Sequence, residues 1–216
     1  MAVGTRGGAG TRALRTLRVD TSRGPAEADL VVPRAPRSLL VLGHGAGGGV
    51  DAVDLVAVRD AAYAAHVAVA RVTQPYRVAG RRAPAPATHL DEAYGEVVAA
   101  LRAELPRRLP LVVGGRSSGA RVACRTAAAL GAVGVLALAF PLHPPGRPEK
   151  TRLPELATGL PTLVVNGDRD PFGVPPTTGT VHVEVRPGER HGLSVDPAAV
   201  ARVAVDWLAG HGWART

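Results

Sequence analysis

The stretch Leu111-Val112-Val113-Gly114-Gly115-Arg116-Ser117-Ser118-Gly119-Ala120-Arg121 decides how the rest of the chain is read. Leu111 to Val113 are apolar and mostly β-branched, as a buried strand requires. Within the run, Gly115-Arg116-Ser117-Ser118-Gly119 has the spacing G-x-S-x-G. A serine at the tip of a tight strand-to-helix turn has crowded backbone two residues before it and two after. Glycine fits there because it has no Cβ, and the turn leaves the hydroxyl exposed above the end of the sheet. The helix that follows turns unpaired N–H groups and a positive dipole end toward the place where an oxyanion would form. Taken alone, the pattern also fits an ordinary Gly-rich turn with Ser117 as helix N-cap, in a chain that has 26 glycines. Partners elsewhere in the chain separate the two readings.

The 216 residues fit one domain with a real core. Residues 14–216 are expected to form that domain. Residues 1–13, rich in Gly, Thr and Arg and without the apolar segment of a signal peptide, are expected to be a flexible tail. Apolar residues make up 46% of the chain but aromatic ones only 3%, so Val, Leu and Ala must build the core. No run approaches the ~18–20 apolar residues of a membrane span, and no membrane association is expected. The single cysteine, Cys124, excludes an internal disulfide framework and fits a reducing cytoplasm. It sits among alanines and reads as a buried core thiol. The net charge of +8 would suit a polyanion. However, Lys150, Asn166 and Gln74 are each the only residue of their kind, and isoleucine is absent. That bias points to G+C-rich coding rather than to a basic face. The arginines are scattered with no aromatic interleaving, so a nucleic-acid partner is not expected.

In chain order, Leu14–Val19 and Ala28–Val32 read as an antiparallel hairpin at a sheet edge. Ser38 to Leu42 is a continuous apolar run, expected for a buried central strand. It leads into Gly43-His44-Gly45-Ala46-Gly47-Gly48-Gly49, after which Asp51 is expected to cap a helix that turns Val53, Val56 and Ala57 inward. Val67–Thr73 is the next strand. A polar loop through Tyr76 follows, then a helix with Thr88 as N-cap and Asp91 as its capping-box partner. Leu90, Tyr94, Val97, Val98 and Leu101 share one face of that helix. Strands are expected over 109–113, 133–140, 160–165 and 181–186, the last alternating as an edge strand does. Asp196-Pro197 opens a final helix. Strands alternating with helices predict an α/β fold with a mostly parallel sheet, an antiparallel N-terminal hairpin and helices on both faces. Sites in such sheets lie at the carboxyl ends of the strands, where all the informative stretches fall.

A serine hydroxyl needs a base, and the base needs an orienting acid. Asp170 follows the strand ending at Val165, and His191 follows the strand ending at Arg186. Ser117, Asp170 and His191 therefore occur in the order Ser, Asp, His, each just past a different strand. Asp168 is a rival acid; Asp170 is preferred because a short turn lets its carboxylate reach back to a histidine. Gly43 to Gly49 suits the other half of an oxyanion hole, with the N–H groups of Ala46 and Ser118 as donors. It lacks the Lys-Ser/Thr of a phosphate-binding loop and a clean G-x-G-x-x-G context, so nucleotide binding is not expected. His44 is expected to fix this loop by hydrogen bonding. His143, in the run Pro141-Leu142-His143-Pro144-Pro145-Gly146, either touches substrate or is a solvated loop residue. His182 is expected at the surface, and His66 and His211 at helix ends.

These residues resemble the α/β-hydrolase superfamily over nearly the whole chain. His44-Gly45-Ala46-Gly47, Gln74-Pro75-Tyr76, Gly114-Gly115-Arg116-Ser117, Phe140-Pro141-Leu142-His143-Pro144-Pro145-Gly146 and Gly167-Asp168-Arg169-Asp170-Pro171-Phe172-Gly173 resemble one small family within it. That family includes a testis-expressed protein and a subunit of the nonspecific-lethal chromatin complex, and it is related to dienelactone-hydrolase-like enzymes. Its members often carry Met-Gly-Gly after the elbow serine, where this chain has Ser118-Gly119-Ala120.

The expected function is a serine hydrolase acting on a small ester or thioester through a covalent acyl-enzyme, without metal or organic cofactor. Ser117 would attack, His191 would move the proton and Asp170 would hold His191. The Pro-rich segment after Phe140 leaves no room for a large lid, so an open site bordered by Tyr76, Arg116, His143 and Phe172 is expected. Arg116, with Arg81, Arg82 and Arg147, would either favour an acidic substrate or form a solvated rim. The alternative is a non-catalytic interaction domain on the same fold, as the resemblance also implies. A complete Ser-Asp-His set weighs against it.

Overall fold

The run Ser38–Gly43 is buried at every position, and its neighbours show why. The computed structural model of the chain describes residues 14–216; the tail expected over residues 1–13 lies outside the described residues. Among them, eight strands form one sheet. They are β1 (Leu14–Thr21), β2 (Gly24–Val31), β3 (Ser38–Gly43), β4 (Val67–Thr73), β5 (Leu111–Arg116), β6 (Gly134–Leu138), β7 (Thr162–Gly167) and β8 (Val181–Arg186). The order is β1-β2-β4-β3-β5-β6-β7-β8. β1–β2 and β2–β4 pair antiparallel, and every later pair is parallel. β3 and β5 therefore lie in the middle, side by side, and carry their loops to the same edge. β8 closes the far edge with half-exposed alternation, as its sequence predicts.

The helices are α1 (Val53–Ala64), the single-turn α2 (Pro75–Val78), α3 (Ala87–Ala103), α4 (Ser118–Thr126) and α5 (Pro197–Gly210). Alternate residues of each central strand feed two separate cores. Leu39, Val41, Val113 and Ala137 pack with Tyr94 and Val97 of α3 and with Ala120 and Ala123 of α4. Leu40, Leu42, Val112 and Leu138 pack with Leu55 and Val58 of α1 and with Val200 and Leu208 of α5. Both faces are covered, which is why these strands are continuous apolar runs. At about 25 cal/mol per Å² of apolar surface removed from water, each fully buried Leu or Val contributes about 1.5–3 kcal/mol. Cys124 is buried in the first of these cores, and burial pushes its thiol up to about 12.

Two helix starts differ from their sequence expectations. α1 begins after Ala52 with no side-chain cap, so Asp51 does not cap it. Its inward stripe is Leu55, Val58 and Ala62, with Asp54 beside it, while Val53 is 50% exposed. The i, i+3, i+7 series beginning at Leu55 is the longer apolar stripe, and it sets the rotation of the helix. α3 begins at Ala87 after Pro86, so Thr88 lies inside the helix rather than capping it. Asp91 is not a capping partner, because its carboxylate is taken by Arg125. α5 follows expectation: Asp196 accepts from the Ala199 N–H at 2.9 Å, with Pro197 in the first turn.

Between β6 and β7 the chain forms a Pro-rich loop and a single 3-10 turn at Leu153–Leu156, with no inserted lid domain. Among the described residues no helix is long and apolar enough to cross a membrane.

Candidate active site

Ser117 sits at φ 54°, ψ −109°, a conformation that a non-glycine residue adopts only under constraint from its surroundings. Its N–H donates to Leu138 O at 2.9 Å, which ties the turn to the end of β6. The flanking glycines are required by close approach. A Cβ on Gly119 would lie 2.3 Å from Gly43 O, and one on Gly115 would lie 2.5 Å from the same oxygen. The end of β3, the end of β5 and the start of α4 thus touch backbone to backbone. This contact also brings the Gly-rich loop to the serine: a Cβ on Gly45 would lie 3.6 Å from Ser117 Cβ.

His191, in the loop between β8 and α5, places Nε2 2.9 Å from Ser117 Oγ. Its Nδ1 lies 2.8 Å from Asp170 Oδ2. Asp170 accepts at Nδ1–H, so Nε2 is free to accept the serine proton. The Asp170 side chain is fully buried, and that of His191 is 20% exposed. Asp168 is placed differently: its Oδ1 accepts from the Gly188 N–H at 2.8 Å and fastens the neighbouring turn.

Asn166 and Glu189, which the sequence does not mark as site residues, help to hold the relay. Asn166, at the end of β7, donates to Asp170 Oδ2 at 3.4 Å and to Phe140 O at 3.0 Å. Its Oδ1 accepts from the Phe140 N–H at 2.8 Å. The Phe172 N–H donates to Asp170 Oδ1 at 2.9 Å. Glu189, 2% exposed, accepts from the N–H groups of Val195 and Asp196 at 3.0 and 2.7 Å, folding the His191 loop back on itself. One signal was available for Asn166: it is the only asparagine in a composition that nearly lacks the type.

The Gly-rich loop is braced from two sides. His44 donates from Nδ1 to Gly45 O at 2.8 Å and accepts at Nε2 from the Gln74 N–H at 3.1 Å. Acceptance at Nε2 requires a neutral imidazole, and burial lowers its pKa accordingly. Tyr76 donates to Ala46 O at 2.7 Å. Ala46 lies in a tight turn closed by Gly48 N–H to Gly45 O at 3.2 Å. Ser118 is the first residue of α4, so its N–H has no acceptor within the helix.

Two of the four expected substrate-binding residues have other duties. Tyr76 is 6% exposed and braces Ala46, so it does not form an open wall. Arg116 is held by Asp54 and by the His191 carbonyl, because a fully buried carboxylate needs a counter-charge. Phe172 remains beside the relay, its ring edge-on to His191 with centroids 4.5 Å apart. His143 is half-buried: its Nδ1 donates to Lys150 O at 2.8 Å, and its ring lies over Gly173. His182 is exposed, and His66 and His211 follow the last residues of α1 and α5. Among the described residues no three His, Cys, Asp or Glu side chains converge as a metal site would require.

The structure resembles several solved proteins over almost its full length. One is an α/β serine hydrolase without lid from Xanthomonas campestris, 19% identical, with 94% of this chain and 96% of that chain covered and a TM-score of 0.75. Another is a dienelactone hydrolase from Anabaena variabilis, 18% identical, covering 92% and 98% of the two chains with a TM-score of 0.73. An α/β serine hydrolase homologue from Coxiella burnetii is 15% identical, covering 89% and 96%, with a TM-score of 0.73. At these identities the likeness is one of fold. No curated protein matches the chain in sequence. A family model described as an alpha/beta hydrolase domain matches residues 36–186, most of the folded part. The chain belongs to the α/β hydrolase domain family.

Proposed function

We propose that this protein is a serine hydrolase that cleaves ester-type bonds of small acyl substrates through a covalent acyl-enzyme. The observation that carries the reading is the continuous hydrogen-bonded line from Ser117 Oγ to His191 Nε2 and from His191 Nδ1 to Asp170, at 2.9 and 2.8 Å. Ser117 attacks the carbonyl carbon while His191 accepts its proton. The resulting imidazolium is stabilised by Asp170 and returns the proton to the leaving alcohol or thiol. Water, deprotonated by His191, then releases the acid. The N–H groups of Ala46 and Ser118 are the donors for the oxyanion. Loss of one such donor typically costs ~100–1000-fold in rate.

The absence of a lid domain and the position of Phe172 beside His191 favour short or flexible acyl groups. Dienelactone and serine hydrolase activities in structural neighbours are consistent with this class of chemistry. Within the family, Pro141-Leu142-His143-Pro144-Pro145-Gly146 favours kinship with the small group that includes the testis-expressed protein. A cytoplasmic setting suits the single, buried Cys124.

The test is covalent labelling with a fluorophosphonate probe, followed by hydrolysis of a short-chain nitrophenyl ester series. Wild type should label once per chain and Ser117→Ala not at all. A folded wild type that neither labels nor turns over any ester of the series would overturn the reading.

A further inference from the structure

Asp54 has no part in the chemistry above, yet it is a carboxylate with no exposed surface beside the relay. It stands in the first turn of α1, where the positive end of the helix favours a negative charge. Its Oδ1 accepts from the adjacent Leu55 N–H at 2.9 Å. Its Oδ2 lies 3.0 Å from Nε of Arg116. That contact is not an aligned hydrogen bond; both atoms are buried without one. Charge attraction therefore holds the pair, and the guanidinium is free to direct its other nitrogens elsewhere. NH2 donates to the main-chain carbonyl of His191 at 2.9 Å. NH1 faces the Gly-rich loop, where a Cβ on Gly45 would lie 3.4 Å from it. One guanidinium thus links the start of α1 to the loop carrying His191 and lies beside the Gly-rich loop.

We propose that Asp54 and Arg116 form a positioning pair that fixes the main chain at His191, so that the imidazole meets Ser117 in reactive alignment. The proposal rests on the serine-hydrolase reading. Arg116 acts through His191 and Asp54 acts through Arg116; neither touches the reacting atoms. Arg116 comes from β5 and His191 from the loop after β8, and these are the charged or titratable groups that act on Asp54. Burial lifts the Asp54 carboxyl to about 6, while Arg116 and His191 pull it down.

The experiment measures the rate of fluorophosphonate labelling from pH 5 to 9 for wild type, Asp54→Asn, Arg116→Gln and Arg116→Lys, with thermal unfolding of each. Arg116→Gln should label the same serine about 10–100-fold more slowly at pH 8, the cost of a base displaced by a fraction of an ångström. Arg116→Lys should recover only part of that rate, because a point charge cannot pair with Asp54 and reach the His191 carbonyl together. Asp54→Asn should slow labelling less than Arg116→Gln does, with the loss appearing above about pH 6, where the wild-type Asp54 carboxyl is ionised. If Arg116→Gln does not fold, Arg116→Lys and Asp54→Asn carry the test. Folded variants with the wild-type rate and profile, or with lowered stability alone, overturn the proposal. A wild type that does not label removes the hydrolase reading, and the positioning role with it.

Discussion

Arg121 and Arg125 on α4 meet carboxylates through paired, aligned hydrogen bonds. Arg121 donates twice to Glu155 at 2.9 and 2.6 Å, and Arg125 donates twice to Asp91 at 2.8 and 2.6 Å. Arg116, a few residues earlier in the chain, meets Asp54 at 3.0 Å with no aligned bond. The first grouping keeps about a fifth to a quarter of its side-chain surface in water; Arg116 keeps 18% and Asp54 none, so the difference lies in the carboxylate. The partly exposed, well-aligned network joins α3, α4 and the 3-10 turn at Leu153–Leu156. Burial is the largest single influence on Arg125, and its hydrogen-bonded pairing with Asp91 and Glu155 outweighs it. The buried pair loses more hydration than its geometry restores. Its placement is what distinguishes it: it links the start of α1 to the loop that carries His191. Alignment marks the contact that supports the fold, and position marks the contact that supports the site.

Substitutions in the two regions should separate along the same line. The largest effect is expected at the relay. His191→Ala should lower kcat/KM by about 10⁴–10⁶-fold, with an unfolding midpoint close to wild type in a denaturant titration. A stability loss that accounts for the inactivity would erase the distinction between site and scaffold. Next is the acid. Asp170→Asn should cost about 10³–10⁴-fold in kcat by presenting the wrong tautomer to His191. Asp168→Asn, which loses only an acceptor for the Gly188 N–H, should stay within several-fold. Steady-state kinetics on both variants compare the two carboxylates, and the opposite ranking would transfer the role to Asp168.

Gly119→Ala should act on the scaffold beneath the site. Its Cβ would sit 2.3 Å from Gly43 O and 2.4 Å from Gly43 C, against backbone that must shift to admit it. A loss of about 3 kcal/mol or more is expected in chemical denaturation. The pH dependence of stability tests the buried pair directly. The Asp54 carboxyl is raised from 3.8 to about 6 in the fold, so the folded chain binds that proton more readily than the unfolded chain. Its contribution is therefore fully present in acid and is lost as pH rises from about 4 to about 6. The change is about 2–3 kcal/mol, at about 1.4 kcal/mol per unit. Denaturant midpoints across that window should show the decline in wild type and a flatter line in Asp54→Asn. The smallest effect belongs to the partly exposed network: Arg125→Gln should cost about 1–2 kcal/mol and leave ester turnover unchanged.

Much of the fold was legible in the sequence because burial on two faces writes itself as uninterrupted apolar runs, as in Ser38–Gly43. The strict alternation of Val181–Arg186 likewise marks an edge. The order of Ser117, Asp170 and His191, each past a different strand, was legible because parallel sheets gather their strand ends at one edge. Helix starts were less legible. Asp51 and Thr88 have the right chemistry for caps, but the apolar stripe from Leu55 and the pull of Arg125 on Asp91 set where the helices begin and how they face.

The sequence by itself determined the alternating architecture, the serine on its glycine-flanked turn and the set of residue types that could serve it. These follow from local sterics and from the period of apolar residues, which act within a few positions. The tertiary structure alone decided that Asp170 and not Asp168 faces His191. It alone placed Tyr76 against Ala46 and Arg116 against Asp54, and made Asn166 and Glu189 hold the loops. Those choices depend on which groups are buried together from segments up to 75 positions apart, as between Arg116 and His191. A buried polar group must take whatever partner the packing brings to it.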